Sequence, residues 1–276
     1  MLGQAERLFE LKRLQDNITK SKSQKIFAFT SGKGGTGKTF LSLNLAYSLA
    51  EEGSKVLFID LDSNLSNANI MLNVVAIKTL YDFITEKKLL KDVITVFNPN
   101  LHFVFGDSGK LNYPEAQENI ISKLYNQLIS LQKNYDFIFL DTGSGAGSDI
   151  VNILLRADSV ILVSSPEPTS VMDSYVMLKL LNASNYPGDK LIIVNKNIEQ
   201  DDGQVTFNNL STAAGHFLKE SLIHLGSVQF DVMASRTIMN QELVVEKYPE
   251  TMLSSQIRSI GKSISEFAHM ANIHQE

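Results

Sequence analysis

The sequence of 276 residues contains no cysteine and no tryptophan. Without thiols there are no thiolate zinc sites, no cysteine-held iron–sulfur clusters, no disulfide framework and no cysteine nucleophile, and the composition suits a reducing compartment. A basic excess is also missing, since 25 Lys and Arg stand against 30 Asp and Glu for a formal net charge of -5. Nucleic-acid binding carried by phosphate contacts calls for a basic surplus or a basic stripe, and neither is visible. No apolar run approaches the length of a membrane span. The opening residues, with Gln4, Glu6, Arg7 and Glu10, lack the basic-then-apolar order of a secretory leader. Repeats and low-complexity tracts are absent as well, and a soluble cytoplasmic protein is expected.

What is present is alternation. Ile26 to Thr30, Val56 to Ile59, Phe137 to Leu140, Val160 to Val163 and Leu191 to Val194 are short runs rich in β-branched and aromatic residues. Such runs suit strands buried on both faces of a parallel sheet. Between them lie helix-length segments, Thr39 to Glu52, Pro114 to Gln132, Thr169 to Ser184 and Phe207 to His224. Val93 to Phe105, divided by Asn98-Pro99-Asn100, reads as two short strands, and Leu225 to Phe230 as a last one. The expected fold is α/β, a doubly wound and mostly parallel sheet of about seven to eight strands flanked by helices. The main body is assigned to residues 25–276. Residues 1–24 form a separate segment: Leu2, Ala5, Leu8 and Phe9 share one helical face, with Leu11 and Leu14 beside them, and a polar linker follows from Asn17 to Lys25. This short amphipathic helix either packs on its own domain or serves a partner.

The sharpest local signal is Gly32-Lys33-Gly34-Gly35-Thr36-Gly37-Lys38-Thr39, which fits G-x-x-x-x-G-K-[ST] after a strand and before a helix. Glycines let backbone N–H groups wrap phosphate oxygens, and the helix N-terminus adds its positive end. Lys38 is placed to reach the β- and γ-phosphates and Thr39 to offer its hydroxyl to Mg²⁺. The nucleotide-contacting set runs from Gly32 through Phe40.

The additional lysine in Lys33-Gly-Gly-Thr-Gly-Lys-Thr39 resembles the deviant Walker A motif of the MinD/ParA family of P-loop ATPases (SIMIBI class). The resemblance implies ATP and Mg²⁺ as cofactors and an ATP-dependent homodimer in which Lys33 crosses to the partner's phosphates. Asp60 and Asp62 after the second strand run, with Leu61 to Leu72 following, resemble the family's switch I. Asp60 is assigned to the Mg²⁺ environment and Asp62 to positioning the attacking water. Asp141, ending Phe137-Ile-Phe-Leu140 before Thr142-Gly-Ser-Gly-Ala-Gly147, is the Walker B carboxylate on Mg²⁺ with a glycine-rich switch II behind it. Asn195, after Leu191-Ile-Ile-Val194, is either the family's adenine contact or a turn residue.

Within the family, three stretches resemble the flagellar branch represented by FlhG (FleN, YlxH). They are Asp60, Asp62, Leu65, Asn67 and Asn69 in switch I, Asp141-Thr-Gly-Ser-Gly-Ala-Gly147 in switch II, and Glu167-Pro-Thr-Ser170 with Asp173, Tyr175, Lys179 and Leu180. Gly3-Gln4-Ala5-Glu6-Arg7-Leu8 is similar to that branch's D-Q-A-x-x-L motif, which implies that Gln4, Ala5 and Leu8 bind an FlhF-like GTPase; Gly3 stands where the motif has Asp. The branch also implies regulation of flagellar number and placement, with flagellar switch proteins and a transcription activator as further partners and placement at the inner membrane face near the cell pole. A positioning or partitioning ATPase for another cargo, or a weakly hydrolysing nucleotide-dependent scaffold, are the alternatives. The last helix aligns Leu253, Ile257, Ile260, Ile264, Phe267 and Ala271 with only Arg258 and Lys262 as cations, a stripe expected to pack on the core rather than on a membrane.

Overall fold

Each of the five short apolar runs forms a strand in the computed structural model, which describes residues 25–62, 67–85, 88–107 and 118–273. The amphipathic segment at 2–14, Leu65, the first residues of the helix expected from Pro114 and the side chain of Ala271 lie outside the described residues. In chain order the strands are β1 (Ile26–Thr30), β2 (Val56–Leu61), β3 (Thr95–Asn98), β4 (Leu101–Val104), β5 (Phe137–Thr142), β6 (Ser159–Ser164), β7 (Asp189–Asn197) and β8 (Ile223–Gln229). They make one eight-stranded sheet in the order β3-β4-β2-β5-β1-β6-β7-β8. Only β3 runs antiparallel, at the edge, joined to β4 by the turn at Pro99.

The strands extend past the apolar runs that announced them. Asp60 pairs with Asp141 and Leu61 with Thr142 across β2 and β5, so Asp60 lies inside its strand rather than after it, as does Asn195 in β7, while β5 runs one residue beyond Asp141. Central position in a parallel sheet supplies ladder partners on both sides, which keeps a polar residue in strand geometry where an edge would release it.

Strand alternation divides the core into two chemically different layers. Phe27, Phe29, Phe58, Phe103, Phe137 and Phe139 point to one face, where Phe29 and Phe139 meet edge-on with ring centroids 4.8 Å apart. That face is covered by α1 (Lys38–Glu51) and a C-terminal helix, Met252–Ile273, whose Leu253, Ile257, Ile260 and Ile264 are buried against it. Core packing thus takes up the expected stripe in every described position. Short helices α2 (Ala68–Met71) and α3 (Leu80–Thr85) follow β2. The opposite face is aliphatic, with Ile26, Ala28, Leu57, Ile59, Ile138 and Leu140. It packs against α4 (Glu118–Leu131), α5 (Ser148–Leu154), α6 (Pro168–Ala183) and α7 (Asp202–Ala213), before α8 (Val232–Asn240), α9 (Val244–Lys247) and the C-terminal helix, α10 (Met252–Ile273), complete the chain on the phenylalanine face.

One expected helix is displaced. The span Phe207 to His224 divides into the second half of α7, a π-turn at Ala214–Leu218, and the start of β8. Gly203 conceals the true beginning, because glycine reads as a break; here it lets α7 approach Ser227 of β8, where a Cβ would collide. Lys219, at φ 59°, ends the helical path and frees Ile223 and His224 for the sheet.

Among the described residues no helix is long and apolar enough to cross a membrane. The phenylalanine layer is a sensitive point of stability. Phe139→Ala, at a fully buried ring touching Phe27, Phe29 and Phe137, is expected to lower unfolding free energy by about 3–5 kcal/mol in urea titration.

Candidate functional site

Parallel strands deliver their C-terminal ends to one edge, and the chain's direction of winding reverses at β1, where open α/β sheets take ligands. Residues 31–37 leave β1 there and turn directly into α1. Gly35 and Gly37 hold φ angles of 80° and 87°, a left-handed backbone costly for other residues. Gly32 meets a different demand, since a Cβ there would collide with the backbone of Asp173 in α6. The Gly145 amide donates to the Ser31 carbonyl at 2.9 Å, which ties the glycine-rich loop after β5 to the one after β1. Among the described residues no side chain caps the N-terminus of α1 and none hydrogen-bonds the buried Thr36 Oγ1. First-turn amides without a side-chain cap, cradled by turn glycines, are donors that suit phosphate oxygens.

Asp141 organises the floor of this loop. Its side chain is buried and accepts from Lys38 Nζ at 3.0 Å, from Thr39 Oγ1 at 2.7 Å and from Ser42 Oγ at 3.0 Å. Three donors, one of them charged, are what a carboxylate out of contact with water requires. Mg²⁺ takes oxygen ligands and is held through one or two carboxylates together with phosphate oxygens and waters. A threonine hydroxyl in contact with a carboxylate at a phosphate loop fits that chemistry.

Asp60 is also buried, opposite Asp141, and its oxygens accept from the Asp62 amide at 3.1 Å and the Ala68 amide at 3.2 Å. It therefore clamps the backbone on both sides of residues 63–66. Asp62 is half-buried and lies over the start of the loop after β5, its Oδ1 3.7 Å from where a Cβ on Gly143 would stand.

Lys33 sits on the rim rather than on the floor. Its Nζ donates to Glu167 Oε2 and, at 3.1 Å, to Thr169 Oγ1 at the start of α6. Hydrogen bonding from Lys33, together with its charge, holds the Glu167 carboxyl below the usual carboxylate range. Asn195 Nδ2 donates to the Thr36 carbonyl at 2.8 Å, and Lys196 Nζ donates to the Gly35 carbonyl at 2.6 Å. Both thus brace the phosphate loop from β7. Beside them opens a cavity of about 270 Å³ lined by Gly35, Phe40, Asn195, Lys196, Phe230 and Ile238, mixed apolar and polar as small-ligand sites are.

The structure thus brings Gly32 to Phe40, Asp60, Asp62, Asp141 and Asn195 to one edge, while Gln4, Ala5 and Leu8 lie outside the described residues. Ser42, Lys196 and the Glu167–Thr169 pair were not singled out as site residues by sequence. Ser42 stands one helical turn beyond Thr39 and was findable by spacing. Lys196 adjoins Asn195, but its φ of 63° turns its backbone in a way no residue type announces. Glu167 meets Lys33 across 134 positions, which no local pattern carries.

A family model described as an AAA domain, AAA_31, matches residues 24–186. Antiactivator FleN of Pseudomonas aeruginosa is 28% identical over 247 residues, covering 90% of this chain and 88% of that protein. Flagellum site-determining protein YlxH of Helicobacter pylori is 28% identical over 267 residues, covering 95% and 90%. Among solved structures, the septum site-determining protein MinD of Pyrococcus horikoshii, complexed with Mg-ADP, superimposes with a TM-score of 0.73 at 23% identity, over 90% of this chain and 98% of that one. At that identity the likeness is one of fold. The chain belongs to the AAA_31 family and is an ATP hydrolase of the MinD/ParA type.

Proposed function

We propose that this ATPase is a Mg-ATP-driven switch that dimerises when ATP is bound, reverts to monomer after hydrolysis, and uses the cycle to regulate flagellar number and placement with an FlhF-like GTPase. The observation that carries the switch is the division of labour between two lysines of one loop. Lys38 is buried on Asp141, whereas Lys33 stands on the rim, about a third exposed. A cation held outside its own phosphate site is available to a neighbour's, where it stabilises charge on the transferring group as an arginine finger does. Support for the flagellar reading comes from similarity over nearly the whole chain to a protein named for flagellum site determination. Gln4, Ala5 and Leu8 are the residues proposed to meet the GTPase.

Mg²⁺, held by Thr39 and Asp141 with Asp60 nearby, would neutralise phosphate charge during transfer. The chain's own groups do the remaining work. Loop amides from Gly32 to Thr39 orient the phosphates, and Lys38 exchanges Asp141 for them. Asp62, over the glycine-rich turn, holds the water in line. Asn195, Phe40 and the adjoining cavity take adenine. Release of the γ-phosphate would alter contacts of Asp62 and of the loop at 143–147, which is how such switches convert hydrolysis into shape.

Lys38→Ala is expected to weaken ATP binding by roughly 10- to 100-fold, the loss of one or two charge-assisted hydrogen bonds, in a calorimetric titration. The same variant leaves Asp141 buried without its cation and should lower nucleotide-free stability by about 3 kcal/mol. Normal affinity in a folded Lys38→Ala protein contradicts the phosphate-loop assignment. Asp62→Ala should retain ATP binding and lose turnover by about 100-fold, the usual scale for a positioned base, as read by phosphate release. Wild-type turnover in that variant removes the water-positioning role. Removal of residues 1–20 should leave hydrolysis by this chain intact and abolish its stimulation of the GTPase; unchanged stimulation excludes the N-terminal segment as the contact.

A further inference from the structure

Away from the nucleotide edge, the aliphatic layer carries an open groove of about 630 Å³ between α6 and α7. Val171, Met172 and Tyr175 line it from α6, and Val205, Leu210 and Phe217 from α7 and the π-turn. Several of these apolar side chains face solvent, Phe217 at 70% exposure and Met172 at 61%. Exposed apolar surface gathered into a concave strip, rather than scattered, marks a surface that is covered by something. Along α7 and its π-turn, residues 205 to 217 extend for about 18 Å at helical rise.

The chain itself holds a segment of matching length and chemistry. Residues 2–14 place Leu2, Ala5, Leu8 and Phe9 on one face, flanked by Leu11 and Leu14, and as a helix would measure about 20 Å. The described chain begins at the edge of the sheet on which Phe217 lies. The amides of Lys25 and Ile26 both donate to Asp158 Oδ2, at 3.0 and 2.9 Å, immediately before β6, the strand that leads into α6. Phe217 lies shortly before β8 and so at the same edge of the sheet. Strands are spaced about 4.8 Å apart and packed layers about 10 Å apart, whereas the ten residues 15–24 reach up to roughly 33 Å when extended. Two amphipathic helices among the described residues already have their apolar faces covered: α10 buries its stripe against α1 and β8 on the opposite layer, and α4 buries Ile121, Leu124 and Leu128 in the aliphatic core.

We infer that residues 2–14 dock as an amphipathic helix into the α6–α7 groove of their own chain. The apolar face of the segment replaces solvent over Met172, Val205 and Phe217, while Glu6, Arg7, Glu10 and Arg13 remain on the water side. A docked segment withholds Ala5 and Leu8 from any external protein, so the groove sets how much of the segment is available for capture. This goes beyond the switch reading and does not depend on it, because no nucleotide, second subunit or GTPase enters the contact.

Absence of cysteine makes the test direct. Leu8→Cys combined with Phe217→Cys is introduced into the otherwise cysteine-free full chain, and a bis-maleimide crosslinker is added. The expected product is an intramolecular crosslink of monomer mass, insensitive to dilution and at least about tenfold more abundant than in a Leu8→Cys/Met252→Cys control, where Met252 lies on the opposite layer. Adding Val205→Glu, at an exposed groove position, should return the yield to the control level. A crosslink between chains that grows with concentration identifies a second copy as the occupant and overturns docking within the chain. Equal yields in the groove and control pairs, or no response to Val205→Glu, overturn docking in the groove.

Discussion

The buried contact between Lys38 and Asp141 is the interaction on which the site depends. It joins the first turn of α1 to the end of β5, residues 103 positions apart, and does so where water cannot screen it. A lone carboxylate in that position would be costly, and three converging donors make it tolerable. Those donors, Lys38, Thr39 and Ser42, all lie on the first turns of one helix. The loop before that helix is therefore tied to the floor at its C-terminal end, with Gly35 and Gly37 holding the left-handed turns that lead into the helix. In the proposed cycle, nucleotide binding exchanges partners at a prepared carboxylate and need not build the site.

The sheet explains why this carboxylate stands where it does. β5 lies between β2 and β1, so Asp141 faces Asp60 across one ladder and reaches α1 from the other side. Rings on one face and aliphatic side chains on the other hold the strand ends in register, and α1 is clamped by α10 through buried contacts. Rim and floor differ in consequence. Buried residues of the floor have one arrangement, while Lys33 and Glu167 make an exposed pair that solvent and salt weaken, so that breaking it costs little.

Much of this was legible from residue types. β-Branched and aromatic runs located the strands, and the glycine spacing located the phosphate loop with its lysine and threonine, because those positions have few chemical substitutes. The acids were found, but the place of Asp60 inside β2 was not, since its ladder partner Asp141 comes from distant sequence. Gly203 concealed the start of α7 for the opposite reason: its lack of a side chain serves a contact with Ser227 that is invisible locally. Lys196 was not noted and Glu167 was noted only as part of a family stretch, not as a site residue, because each acts through a backbone or a partner far along the chain.

A glutamate-bound lysine on the rim and a buried lysine on the floor carry the central proposal, that ATP, and not ADP, holds two copies of this chain together. Size-exclusion chromatography with light scattering in Mg-ADP and in Mg-ATP, using Asp62→Ala to preserve the ATP state, measures it most directly. The expected result is a monomer mass in ADP and twice that mass in ATP, lost again on Lys33→Ala. The same mass in both nucleotides, or an ATP dimer indifferent to Lys33→Ala, would contradict it.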